Sequence, residues 1–472
     1  MPVQQILIKS IYGLIFLAIV SSCKITDPQI PSLTPMPSAF EGSTDSVSIG
    51  DISWQDFFSD PYLVALIDTG INHNLDLKSA VQRIEIARTE YDIRQGALLP
   101  SLDARFRARS GEALRNNVLR GTINGDQNGD AQRENYFLGF QSTWEADLWG
   151  KLRSRREAAY ARFLATEKGK HLVTTALVAE IARLYYELLG LDYELETIRK
   201  NIALQEVGQE VIQIQKLGGR ATELAVQQFQ AQLLGTRSLQ YERQQRIVEV
   251  ENQLNLLLGR YPQPIERGDS ILNQRLPEFV EAGIPSNLIR RRPDIQQAEL
   301  VLTAARADVD AAKAAFLPSL TLTPYLGFQT QSFPSLFTTP ESLILGMLGG
   351  VTAPIFQQRQ LKADYSRMVA QNFQAFYNYQ QSILTGYQEV LTSLQRVENF
   401  KQAYELREQE AQVLLNAVST SNDLFAAGYA TYLEVITAQE RVLEAELNMI
   451  NTRKEIFLAL TSLYQALGGG WQ

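Results

Sequence analysis

Residues 288–320 read LIRRRPDIQQAELVLTAARADVDAAKAAFLPSL, and residues 74–102, lying 218 positions earlier, read NLDLKSAVQRIEIARTEYDIRQGALLPSL. Asp76 aligns with Asp294, Ala80 with Ala298 and Ala87-Arg88 with Ala305-Arg306. The ends agree best, where Leu99-Pro100-Ser101-Leu102 faces Leu317-Pro318-Ser319-Leu320. In both copies a long alanine-rich helical pattern is stopped by proline, which has no N–H to give a helix. Each stop opens into an alternating segment. A helix delivered twice into a strand implies a duplicated structural unit whose copies pack side by side.

Working outward, residues 102–109 alternate with period two. Leu102, Ala104, Phe106 and Ala108 share one face, and Asp103, Arg105, Arg107 and Arg109 share the other. Three arginines on one face need water there, while the opposite face needs an apolar neighbour. A transmembrane β-barrel supplies both, a wet lumen and surrounding lipid. Residues 110–135, rich in Gly, Asn, Asp and Arg, read as a solvated loop, and Tyr136–Glu145 as the returning strand. The second copy repeats the pattern, with Leu320, Leu322, Pro324, Leu326 and Phe328 on one face and Thr321, Thr323, Tyr325 and Gln329 on the other. Leu343–Val351 returns. Pro324 weakens a central-strand reading but falls on the outward face. Hairpins of a soluble β-sandwich are the alternative.

After each hairpin comes a long proline-free tract, from Leu152 to about Lys216 and from Gln357 onward. As one helix the first tract would reach roughly 100 Å, more than a single globular domain needs. These tracts correspond at an offset of 209, so that Gly219-Arg220-Ala221-Thr222 faces Gly428-Tyr429-Ala430-Thr431, and Leu258-Gly259 faces Leu467-Gly468. The two offsets differ by nine residues, and the loop at 110–135 is the place for them. In the last tract Val435, Val442, Met449, Ile456 and Leu463 form a seven-residue column, and Ile436, Leu443, Ile450, Phe457 and Tyr464 form the next. Ala438, Ala445, Thr452, Ala459 and Ala466 make a column of small residues. That period implies left-handed supercoiling against close neighbours, as a buried bundle or a tunnel wall would both show.

The N-terminus carries Lys9, a short apolar run Ile11–Val20 and small residues before Cys23, the single cysteine. This is the pattern of a bacterial lipoprotein signal, with Cys23 as the lipid-bearing first residue after cleavage. A signal peptide with an incidental thiol is the alternative. Pro28, Pro31, Pro35 and Pro37 then lie among Ser and Thr in an extended leader. The expected layout is a signal peptide at 1–22 and a lipidated extended segment at 23–60. The first repeat covers 61–280, with its hairpin at about 102–145 and long helices at about 151–258. The second covers 281–472, with its hairpin at about 320–355 and long helices at about 357–467.

Composition excludes several functions. Charged residues make up 20% and hydrophobic ones 45% of 472 residues, which fits neither a disordered chain nor a multi-span helical membrane protein. A formal charge of -8 without a basic block argues against nucleic acid as a partner. His73 and His171, the two histidines, are far apart and read as surface residues. No phosphate-binding glycine loop, histidine constellation or nucleophile-plus-base pattern occurs, so no catalytic residue, metal or cofactor is expected.

Together these segments resemble the outer membrane efflux protein family (TolC-like), specifically the NodT-type lipoproteins of resistance–nodulation–division (RND) pumps. The likeness rests on Arg291-Arg292-Pro293-Asp294-Ile295 with Ala298-Glu299, the two Pro-Ser-Leu junctions, Trp144–Leu152 (WEADLWGKL) and Leu467-Gly468-Gly469-Gly470-Trp471. The fold class it implies is an α+β membrane protein. Three chains with four strands each would close a twelve-stranded transmembrane β-barrel, continuous with a periplasmic α-helical coiled-coil barrel. The resemblance further implies a homotrimer in outer membrane lipid, a periplasmic adaptor (membrane fusion) protein and an inner-membrane RND transporter as partners, and a passive duct that catalyses nothing. A type I secretion channel and a poreless lipidated scaffold are the rival readings.

The resemblance also implies a gate at the periplasmic helix tips, at the turns near Gly218–Gly219 and Gly428. Relatives carry Leu-x-x-Leu-Asp-Ala-Gln after the second turn, whereas this chain has Leu433-Glu434-Val435-Ile436-Thr437-Ala438-Gln439. Thr437 replaces the aspartate of the usual acidic ring. Apolar closure by Leu424, Phe425 and Leu433 is therefore expected, with Asp423 and Glu434 as nearby acidic candidates.

Overall fold

A computed structural model describes residues 29, 31–40, 48–109, 135–275, 282–338, 340, 342–354 and 357–471. Cys23, the expected signal peptide and the loop at 110–134 lie outside them, as does the side chain of Arg109. Helix α1 (Pro61–His73) starts at Asp60, whose carboxylate accepts from the Tyr62 N–H at 2.9 Å, with proline in the first turn where its missing donor is harmless. Helix α2 (Leu75–Gly96) leads to strands β1 (Ser101–Arg109) and β2 (Asn135–Ala146). Helices α3 (Lys151–Leu217) and α4 (Glu223–Leu257) follow. Then come α5 (Pro293–Ala314), β3 (Ser319–Thr330), β4 (Leu343–Thr352), α6 (Gln358–Ala427) and α7 (Tyr432–Ala466).

The bounds of α5 are those of α2 shifted by 218 residues, and those of α7 are those of α4 shifted by 209. Left-handed glycines obey the second offset, Gly219 (φ 73) with Gly428 (φ 83) and Gly259 (φ 65) with Gly468 (φ 86).

The chain forms two compact units. One gathers Ile86–Phe163 and Val301–Phe376, and the other Ser32–Glu85, Leu164–Leu300 and Tyr377–Gln472. In the first, one antiparallel sheet runs in the order β1-β2-β3-β4, so β1 and β4 are its edges. Pro324 does lie in a central strand. The β2–β3 ladder pairs Gln141 with Tyr325 and resumes at Trp144 with Leu322, skipping the step opposite Pro324, which has no N–H to donate.

In the second unit, α3 supplies Ile181, Leu184, Tyr185 and Leu188 to a core shared with Leu63 and Ile67 of α1, Val250 and Leu254 of α4, and Ile450 and Phe457 of α7. Each such side chain contributes roughly 1.5–3 kcal/mol of burial. The two apolar columns of α7 are buried except for Met449, and Ala445, Ala459 and Ala466 are buried beside them. His73 is exposed as expected. His171 is not, because its half-buried ring stacks on Trp471 at 4.4 Å.

The Arg291–Ile295 motif proves to be a fastening. The buried Arg292 guanidinium donates two bonds to Asp294 (3.0 and 2.7 Å), one to Glu389 of α6 (2.7 Å) and one to the Ala466 carbonyl that ends α7 (2.8 Å). Burial disfavours its charge, and the two carboxylates more than offset that, holding its pKa above the usual arginine range. Gly468 lies against the same motif, since a methyl group there would sit 2.9 Å from the Arg291 backbone.

Candidate functional site

Two features carry chemistry, the faces of the sheet and the turns that end the long helices. Directly opposed residues of antiparallel strands project to the same side, so the register assigns every face. Phe106 pairs with Leu138 and Leu138 with Phe328, which pairs with Leu343. Ala104 pairs with Phe140, Phe140 with Leu326 and Leu326 with Leu345. Leu102, Trp144, Leu322, Met347 and Val351 share that side by alternation. The result is one apolar face from edge to edge. It is open, with Phe140 55%, Leu326 47% and Leu345 81% exposed.

The other face is mixed, polar or small over most of its length but with Phe137, Ile344 and Leu348 on the same side. Asp103 pairs with Gln141 and Arg105 with Gly139, while Gln141 meets Tyr325 and Tyr325 meets Gly346. Asp103, Arg105 and Arg107 stand together there as the sequence predicts, with Arg109 backbone-paired to Asn135. At Gly346 the Tyr325 phenol lies over the backbone, so close to where a methyl would sit that a side chain there would displace it. At one end of the sheet, indoles anchor the strands to the chain before them. The Trp144 Nε1–H donates to the Leu98 carbonyl at 3.0 Å, and the Trp149 Nε1–H donates to the Pro318 carbonyl at 2.8 Å. Tryptophans with an apolar body and a bonded N–H are the residues found at a lipid–water boundary.

The turns at Gly219 and Gly428 share one backbone design. The Gly219 N–H donates to Lys216 and the Arg220 N–H to Gln215, as the Gly428 N–H donates to Phe425 and the Tyr429 N–H to Leu424. Both are helix C-terminal motifs that need a left-handed residue. Substituting Gly428 by alanine is expected to cost about 1–2 kcal/mol, read as a fall in thermal midpoint, with asparagine costing less.

Side chains distinguish the turns. Lys216 and Glu223 form an ion pair across the first. At the second, Phe425 and Tyr432 pack on a cluster of Ile212, Ala225, Val226, Phe229, Val435 and Ile436. The gate candidates therefore separate. Phe425 is half-buried in that packing. Glu434 caps its own helix, accepting from the Thr431 N–H at 2.7 Å and from the Thr431 hydroxyl. That hydroxyl bond, with the backbone bond beside it, holds its carboxyl below the usual range. Thr431-x-x-Glu434 is a capping-box pattern, and reading it as such would have assigned Glu434 from sequence. Asp423, Leu424, Leu433 and Thr437 are exposed. Leu433 and Thr437 line one groove with Gln228, Gln232 and Glu440.

Among the described residues, no helix is long and apolar enough to cross a membrane, and no group of three or more His, Cys, Asp or Glu side chains could hold a metal ion.

The sequence model of a family described as outer membrane efflux protein matches residues 66–260 and 284–469. A probable outer membrane lipoprotein, SilC of Salmonella typhimurium, is 28% identical over 93% of both chains. A toluene efflux pump outer membrane protein, TtgC of Pseudomonas putida, is 31% identical over 94% of this chain and 89% of its own. Among solved structures, a membrane protein from Pseudomonas aeruginosa superposes with a TM-score of 0.85 at 27% identity, covering 95% of this chain and 98% of that one. A structure of CusC gives 0.81 at 25% identity, covering 94% and 99%.

Proposed function

The chain belongs to the outer membrane efflux protein family, and from that premise we propose that it is the exit duct of a tripartite pump. It is an outer-membrane efflux protein. The observation that supports the duct most strongly is the sheet, with a continuous apolar stripe across one face, the charged residues of β1 confined to the other, and β1 and β4 at its two edges. Lipid supplies no hydrogen bonds to open edges. Three copies, β4 of each pairing with β1 of the next, would close twelve strands into a barrel. Asp103, Arg105, Arg107 and Arg109 would then line the lumen, and the apolar face would meet lipid.

The matched helix bounds and left-handed glycines support a tandem duplication as its origin. Acylation at Cys23 would add a tether, consistent with a relative named as a lipoprotein. Energy would come from an inner-membrane RND transporter through a periplasmic adaptor. Relatives named for a toluene efflux pump and a cation efflux system favour that partnership over a secretion exporter. Purified protein should run as a trimer in mild detergent and conduct ions in planar bilayers. A monomer without conductance overturns the duct.

The gate would be carried by the exposed Leu424 and Leu433, with Thr437 in the same groove as Leu433 and no acidic ring at that level. Phe425 supports the turn from within. Leu424→Ser with Leu433→Ser is expected to raise closed-state conductance several-fold, and unchanged conductance refutes this gate. Phe425→Ser should instead lower thermal stability.

A further inference from the structure

Toward their turns, the long helices hold two apolar clusters separated by a layer of amides. The turn-side cluster contains Ile212, Phe229, Val435 and Ile436, and the next contains Ile198, Ile202, Leu233 and Leu443. Between them along α3 come Gln205 and Gly208, along α4 Gln232, and along α7 Gln439. Gln205 is 2% exposed, and neither its amide nitrogen nor its oxygen has a protein partner. Both amide atoms of Gln232 are in the same condition, as is Oε1 of Gln439, which is 8% exposed. Gly208 adds no side chain to the layer, and a methyl there would lie 3.2 Å from the Phe229 ring and 3.9 Å from Gln439 Nε2.

A buried polar layer in a coiled assembly weakens the packing at its own level. Amides left without partners while the helices are packed gain hydrogen bonds when water reaches them, so separating the helices here recovers part of what it costs. Glycine in mid-helix adds local looseness. The apolar clusters on either side have no such compensation.

We propose that this glutamine layer is the hinge plane on which the turn-side segments pivot when the duct opens, an inference that rests on the turns being the gate. Hydrogen exchange on the full-length protein in detergent tests it. Amides around 205–232 and 422–442 should exchange together, about tenfold faster than those flanking Ile181 and Ile450. Gln205→Leu with Gln439→Leu, which fills the layer with apolar side chains, should slow that exchange about tenfold and lower open-state conductance. Gln205→Met with Gln439→Met, unbranched and close in length, serves if leucine does not fit. Uniform protection along the hairpins, or exchange unchanged or faster in both double variants, overturns the hinge. Slowed exchange with unchanged conductance upholds the layer as the weak plane and overturns the gate at the turns instead.

Discussion

Replacing Arg292 by alanine is expected to cost about 3–5 kcal/mol, a large share of the 5–15 kcal/mol that holds a typical domain together. The side chain is buried and makes four hydrogen bonds, and its loss leaves three groups behind. The Asp294 carboxylate loses a two-point partner. The last carbonyl of α7 loses a cation placed where the helix dipole favours one. Glu389 is half-exposed and can turn to water, so the cost falls mainly on the other two. Lysine should recover less than half, because a point charge cannot meet Asp294 with two parallel bonds and still reach α6 and α7. Next door, Arg291 pairs with an exposed Asp51, and Arg291→Ala should stay within about 1 kcal/mol. Thermal unfolding followed by circular dichroism measures both. A loss below about 1 kcal/mol for Arg292→Ala would show that the fastening is incidental.

That fastening also shows how far residue patterns reach. The strands were legible because side-chain alternation has one period and few imitators, and each strand starts within one residue of the alternation that marks it, although the second hairpin ends at Thr352, short of the expected 355. The long helices were legible because proline is absent over tracts that nothing else would keep free of it. The turns were legible because a left-handed helix end selects glycine, at 219 and again at 428. What Arg292 holds was not legible, because its partners Glu389 and Ala466 lie 97 and 174 residues away and share no pattern with it. The gate candidates fared unevenly for a local reason. Exposure of Leu424 and Leu433 depends on which side of a supercoil faces inward, and a few residues of phase decide it. Burial of Gln439 was not legible because it falls outside the apolar columns of α7, in a seven-residue row with Glu446 and Arg453 that reads as a solvated face. The sheet was the reverse case. Its faces could be read strand by strand, but the pairing of β2 with β3 joins residues nearly two hundred positions apart, and only the fold makes the four apolar stripes one surface.

That surface makes the sharpest distinction available between adjacent residues. Phe140→Arg is expected to cost about 2–4 kcal/mol, the price of arginine near the middle of a bilayer. Phe140 stands in the central row with Ala104, Leu326 and Leu345, and no carboxylate pairs with it on that face. Gln141→Arg, one residue later, should stay within about 1 kcal/mol. It projects to the opposite face, directly across from Asp103, where a cross-strand charge pair is favourable and where the proposed barrel has its water-filled lumen. Leu326→Arg should match the first and Thr321→Arg the second, since alternation carries the same rule to β3. The fraction of assembled protein recovered from outer membranes, and its thermal midpoint in detergent micelles, read the difference. Equal losses at 140 and 141 would mean that both faces see the same surroundings. The sheet would then have no lipid side, and closing a barrel would have no driving force.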